Sequence, residues 1–315
     1  MRLGLAVLLT GVLACADQPT LAGGTAERPA GQLFFVRSGM IPEVGTGARL
    51  HVTTDAALRT SVPAAAAPGA LSARVRATLD GRYLAWWVDG RILTMDRFEG
   101  TIGEVNPPGG YRDGLFAWFP DGGELVVQRT RPDGLVQYVR VARDGSRIRP
   151  LPLDTTFARI NALDLSPDGT ELLIVRNNYT LPPYVVRLSD GSERPIEYSR
   201  PPAQSLTAVR WSPDGSRFVA YEQGFGNTNR WVVRSRDGSL LATRDRTVVG
   251  TAPQATAAVW SPDGSQIAVC EWVEQSAQAR FPHGRNGIVL WTVGTSAEEI
   301  LTPAGVEDCW PEWTR

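Results

Sequence analysis

The sequence predicts an all-β protein: a six-bladed β-propeller of four-stranded antiparallel blades, its ring closed by pairing N- and C-terminal strands in one blade. Three observations predict it. A unit recurs along the chain, clearest as Trp211-Ser212-Pro213-Asp214-Gly215 and Trp260-Ser261-Pro262-Asp263-Gly264, with weaker copies Leu165-Ser166-Pro167-Asp168-Gly169, Trp118-Phe119-Pro120-Asp121-Gly122 and Ala77-Thr78-Leu79-Asp80-Gly81. The Asp residues of these copies lie at 80, 121, 168, 214 and 263, intervals of 41, 47, 46 and 49 residues that suit one blade each. Finally, the 315 residues include 32 Gly and 23 Pro, too many breakers for helices and natural for short strands joined by tight turns.

The chain opens with Met1-Arg2, an apolar run from Leu3 to Leu9, and Gly11-Val12-Leu13-Ala14-Cys15. A charged start, a short apolar core and a small-residue end are the marks of an export signal. The run is too short for a permanent membrane helix, which needs roughly 20 apolar residues. Val12-Leu13-Ala14-Cys15 resembles the bacterial lipobox, which implies lipidation at Cys15 and a signal spanning 1–15. A plain signal peptide cut nearby is the alternative. Residues 16–30 have no apolar period and many small and turn residues, and read as a tether reaching on the order of 20 Å. By resemblance to lipoprotein sorting in Gram-negative bacteria, Ala16 after the Cys favours the outer membrane over the inner, so the expected address is periplasmic.

Residues 31–315 then form the propeller. Each copy of the unit is followed by a short apolar second strand: Tyr83-Leu84-Ala85-Trp86, Leu125-Val126-Val127, Leu172-Leu173-Ile174-Val175, Phe218-Val219-Ala220-Tyr221 and Ile267-Ala268-Val269. Third strands are expected around His51, Leu93, Tyr138, Val185, Val232 and Val289, and six of them mean six blades. Turns at Asp144-Gly145, Asp190-Gly191 and Asp237-Gly238 lead to outer fourth strands. The tail Trp310-Pro311-Glu312-Trp313-Thr314-Arg315 reads as a first strand without its Pro-Asp-Gly, and Gly31-Gln32-Leu33-Phe34-Phe35-Val36 as the strand after such a turn. One blade is therefore expected to join the two ends and remove exposed sheet edges.

The unit itself is turn chemistry: Pro presets φ, Asp bonds nearby amides and Gly accepts positive φ. Trp118, Trp211 and Trp260 are expected to pack between blades. One residue before the motif aromatic, the inner strands carry Arg76, Asp164, Arg210 and Glu312. Buried charges need partners, so two ion pairs between adjacent blades are expected around the channel, Asp164 with Arg210 and Glu312 with Arg76. Cys270 ends a second strand and Cys309 begins the closing inner strand, near one face of neighbouring blades. An exported compartment permits a disulfide there, and the Cα separation decides between a bridge and free thiols.

The Trp-Ser-Pro-Asp-Gly repeats resemble those of the TolB family and related periplasmic propellers, over residues 31–315 and most strongly over 160–265. That resemblance implies a protein-binding platform. The separate N-terminal α/β domain of that family is lacking, and no Gly-x-Ser-x-Gly hydrolase domain follows, so neither a Tol–Pal role nor a peptidase is expected. Long loops in blades five, six and one form one sector whose candidate binding residues are Met40, Ile41, Phe225, Trp272, Arg280, Phe281, His283 and Arg285, a mixture of apolar and Arg side chains suited to a protein interface.

Composition narrows the function further. All 32 basic residues are Arg, which removes Schiff-base lysines, and 33 acidic residues balance them, which argues against nucleic acid. His51 and His283 are the only histidines, and neither falls on an expected inner strand. No catalytic residue, metal or cofactor is expected. The leading expectation is a monomeric, lipid-anchored, non-enzymatic lipoprotein that binds an envelope protein or peptide. The alternatives are a propeller enzyme of the lyase or lactonase type acting on a carbohydrate or small molecule, and a structural spacer.

Overall fold

The structure, a computed structural model, describes residues 31–38, 49–53, 62–65, 75–88, 90–105, 109–153, 160–176, 182–196, 205–223, 228–247, 257–273, 285–302 and 307–315. All regular elements among these residues are strands. They run, in chain order, β1 (Gln32–Ser38), β2 (Arg49–Thr53), β3 (Val62–Ala65), β4 (Val75–Ala77), β5 (Tyr83–Val88), β6 (Arg91–Asp96), β7 (Ile102–Val105), β8 (Arg112–Trp118), β9 (Glu124–Thr130), β10 (Val136–Ala142), β11 (Ile148–Pro150) and β12 (Ile160–Leu165). There follow β13 (Glu171–Arg176), β14 (Tyr184–Arg187), β15 (Glu193–Pro195), β16 (Ser205–Trp211), β17 (Arg217–Gln223), β18 (Thr228–Ser235), β19 (Leu240–Thr247), β20 (Ala257–Trp260), β21 (Gln266–Val273), β22 (Arg285–Thr292), β23 (Glu298–Ile300) and β24 (Glu307–Thr314).

These pair into four-stranded antiparallel sheets, the blades of a propeller. Five are consecutive quartets, β4 to β7, β8 to β11, β12 to β15, β16 to β19 and β20 to β23, and a further sheet has the order β24-β1-β2-β3. In that sheet Leu33 lies opposite Trp313, and Gln32 opposite Thr314. The innermost strands touch in the order β4, β8, β12, β16, β20, β24, and β24 also touches β4.

The turns between first and second strands have one geometry. The motif Gly donates its N–H to the carbonyl of the residue three before it, Gly215 to Ser212 at 2.9 Å and Gly264 to Ser261 at 2.8 Å. The Asp then accepts from the backbone N–H two residues on, as Asp214 does from Ser216 at 3.0 Å. In all of these turns but that of β8 and β9, a Ser or Thr hydroxyl donates to the same carboxylate, at 2.5 Å for Ser212. Pro, Asp, Gly and the hydroxyl each supply one part of the reversal.

The core is a set of seams between blades. Trp260 packs with Val219, Tyr221 and Trp231 of the preceding blade, Trp211 with Leu173 and Val175, Trp118 with Tyr83 and Ile92, and Trp313 with Val259 and Ala268. Leu163 and Leu172 join Val126 and Tyr138 in a fifth. The aromatics therefore act as wedges between sheets, and each buries roughly 150–250 Å² of ring surface. At the boundary between β24-β1 and β4-β5, where Phe34, Leu84 and Trp86 are buried, polar contacts are present as well: Arg97 donates to Gln32 at 3.0 Å and lies over the Phe34 ring, and the Arg315 N–H donates to the Leu79 carbonyl.

Candidate functional site

The site that the fold builds from described residues is the channel mouth at the Pro-Asp-Gly end of the inner strands. A cavity of about 180 Å³ there is lined by Arg76, Asp164, Arg210 and Glu312 and by the motif residues around them. In ring order the residue before the motif aromatic position is Arg76, Ala117, Asp164, Arg210, Val259 and Glu312. An Arg, a small apolar residue and an acid thus occur twice.

This order decides the pairing. Arg76 reaches past Ala117 to Asp164, Nη1 to Oδ1 at 3.3 Å, and Arg210 meets the same oxygen from the other side at 3.3 Å. Arg210 also pairs with Glu312, past Val259. The neighbour rule thus describes Asp164 with Arg210, whereas Glu312 pairs with Arg210 rather than with Arg76. The short side chains at Ala117 and Val259 leave room for each Arg to skip a blade, which residue-to-residue adjacency along the sequence does not reveal. The second carboxylate oxygens act on the backbone of the next blade. Asp164 Oδ2 accepts the Trp211 N–H at 2.8 Å, and Glu312 Oε2 accepts the Ala77 N–H at 3.3 Å. Indole N–H groups run the opposite way, Trp118 to the Arg76 carbonyl and Trp260 to the Arg210 carbonyl, both at 3.1 Å.

Burial pushes the Asp164 carboxyl up to about 6, although the Arg76 charge and the N–H groups of Trp211 and Leu165 oppose it. Burial likewise lowers the Arg76 guanidinium, with Asp164 opposing. The mouth is a closed, nearly neutral charge network that ties four blades together across the axis. Among the described residues no group of three His, Cys, Asp or Glu converges as metal ligands would.

Of the candidate binding sector, Met40, Ile41, Phe225, Arg280, Phe281 and His283 lie outside the described residues, as does Cys15. The backbones of Trp272 and Arg285 are described, near the ends of β21 and β22 at the face opposite the Pro-Asp-Gly turns, where Trp272 is opposite Asn286 and Val273 opposite Arg285. Cys270 and Cys309 are joined by a disulfide with Cα atoms 5.0 Å apart, which links β21 to β24.

The sequence reading missed the buried charges of that opposite face. Asp113 and Arg129 form a two-pronged pair, 2.6 and 2.9 Å, with both side chains almost fully buried. Glu222 is held by Arg230 and Arg234 at 2.7 and 2.8 Å. Glu271 is held by Arg244 at 2.7 and 2.8 Å and accepts the Trp231 indole N–H. The available signal was an acid directly after a buried second strand, as in Tyr221-Glu222 and Cys270-Glu271. Glu222 and Glu271 are thus anchors at the feet of two connections: the one after β21 spans 274–284, whereas the one after β17 spans only 224–227 and is not the long loop expected in blade five, because β17 and β18 extend past Glu222 and Asn229.

No family model matches the chain, and no curated protein does. Solved structures do. TolB from Acinetobacter baumannii is similar at TM-score 0.68 and 14% identity, over 90% of this chain and 66% of that one, just under two thirds of its length. A putative TolB from Agrobacterium tumefaciens is similar at TM-score 0.57 and 12% identity, over 91% of this chain and 99% of that one. An oligogalacturonate lyase in complex with manganese is similar at TM-score 0.58 and 12% identity, over 84% and 73%. At these identities the likeness establishes the propeller fold alone.

Proposed function

We propose that this chain is an exported propeller lipoprotein that binds a protein or peptide of the cell envelope and performs no reaction of its own. The observation that carries this reading is the state of the carboxylates at the axis. Asp164 and Glu312 are both engaged by arginines and by backbone N–H groups of the next blade. A general acid, a general base or a metal ligand needs a carboxylate that faces substrate, whereas these two hold the ring together.

In this reading residues 1–15 are the signal ending at lipidated Cys15, 16–30 the tether, and 31–315 a six-bladed ring closed by β24. The antiparallel pairing of β24 with β1 and its contacts with both β20 and β4 support the closure. The tether sets the propeller close to a periplasmic membrane surface, the outer one by the residue after Cys15, as a monomer. Partner contact falls on the sector of Met40, Ile41, Phe225, Trp272, Arg280, Phe281, His283 and Arg285, at the face where the arginine-locked Glu222 and Glu271 fix the loop feet.

The test is photocrosslinking in cells from positions in this sector, with wild type beside Phe225→Ala/Phe281→Ala. A discrete crosslinked protein that disappears in the double variant, at unchanged melting temperature, is the expected result. Crosslinking that ignores the substitutions, or cleavage of oligogalacturonate by the purified chain with added manganese, overturns the reading.

A further inference from the structure

Outside the channel, the charges around β10 and β11 do not balance. Arg140 on β10 stands directly opposite Arg149 on β11 in the ladder, and like charges opposed in this way cost stability. Arg147, just before β11, joins them. All three guanidiniums converge on the buried carboxylate of Glu124: Arg147 Nη2 donates to Oε1 at 2.8 Å, Arg149 Nη2 to Oε1 at 3.0 Å, and Arg140 Nε to Oε2. Three cations on one anion leave two positive charges in excess. Arg147 and Arg149 are 61% and 53% exposed, so their remaining N–H groups face solvent. The carboxylate nearest in sequence to Arg147, Asp144, is folded onto its own turn by the Ser146 N–H and hydroxyl.

The same blade breaks the turn rule of the others. Thr78, Ser166, Ser212 and Ser261 each donate a hydroxyl to the turn Asp, at 2.5 to 2.7 Å. At that position this blade has Phe119, and Arg140 lies over its ring with the guanidinium carbon 3.8 Å from the centroid. A turn hydrogen bond is replaced by an aromatic platform that orients one Arg of the cluster. Two departures from local stability, a like-charge pair and a missing hydroxyl, thus meet at one place, as expected where function overrides folding.

We propose that Arg140, Arg147 and Arg149 form a binding site for a phosphomonoester dianion, carried by a lipid headgroup or by a small soluble molecule. The excess of two positive charges matches the dianion, and guanidinium forks bind phosphate oxygens in pairs.

The test titrates the full chain with inorganic phosphate, read by melting temperature. In parallel, the chain is titrated with vesicles of phosphatidic acid in phosphatidylcholine against phosphatidylcholine alone, a difference that cancels the contribution of the apolar start of the chain. Wild type is expected to respond to phosphate, to the phosphatidic acid vesicles, or to both, and which of them names the source. Arg147→Ala/Arg149→Ala is expected to weaken the response at least roughly tenfold while melting normally without ligand. Arg187→Ala, an exposed Arg of another blade, is expected to leave it unchanged. A wild type that responds to neither, or a double variant that responds equally, overturns the proposal.

Discussion

Asp164 shows how one residue ties pH to the integrity of the ring. Burial raises its carboxyl to about 6, so between the ordinary carboxylate value and that point the folded protein keeps a proton that the unfolded chain has released. Stability from this group therefore falls as pH rises through that window. Relative to Asp164→Asn, wild type is expected to lose up to roughly 3 kcal/mol between about pH 4 and pH 6; urea titrations of both proteins across the window check it, and a constant difference refutes it. Asp113 and Arg129 make a second case. Burial raises Asp113 despite the Arg129 charge, so removing Arg129 strands a carboxyl in the interior. Arg129→Ala is expected to cost roughly 3–5 kcal/mol, and Asp113→Leu/Arg129→Met much less, because the double change strands nothing. Denaturant midpoints of the two variants rank them.

At the element scale the Pro-Asp-Gly hairpin was legible in full, because a turn is made by residues adjacent in sequence. Turn glycines nevertheless differ in what surrounds them, as Gly122 of this hairpin and Gly294 of the turn between β22 and β23 show. Gly122 and Gly294 both have positive φ, 66° and 80°, but a Cβ on Gly122 would lie 2.3 Å from Tyr83 Cδ2, whereas one on Gly294 would meet nothing within 4 Å. Gly294→Ala is expected to cost about 1 kcal/mol, the price of the backbone conformation alone. Gly122→Ala adds a clash at a seam between blades and is expected to cost at least about twice as much. Thermal melts of the two variants separate the contributions, and equal losses would show that the seam yields freely. The inner-strand positions were legible too, since in four of the copies a charge stands just before the motif position, at Arg76, Asp164, Arg210 and Glu312. Their partners were not, because pairing across the axis depends on how far an Arg extends past Ala117 or Val259.

For the whole molecule the Cys270–Cys309 bridge is the one covalent link between β21 and β24, 39 residues apart. It ties the β20 to β23 blade to the closing sheet, at the boundary where Trp313 packs with Val259 and Ala268. Cys270→Ser/Cys309→Ser, or reductant on wild type, is expected to lower stability by roughly 3–4 kcal/mol, the value a closed loop of this length gives. Thiol counting in denatured, unreduced protein is expected to detect neither residue. Loss of the bridge without loss of stability would mean that strand pairing alone secures β24.

The class of fold, the repeat and its period, the turn chemistry and the position of the inner strands follow from the sequence alone, because each is written in residues near one another along the chain. The partnering of the charges was decided only in three dimensions. Arg76 with Asp164, Arg210 with Glu312, Asp113 with Arg129, and the three arginines on Glu124 join residues brought together by ring curvature, ladder register and side-chain reach. A repeat specifies how each blade is built, whereas which charge meets which depends on the small residues left between them.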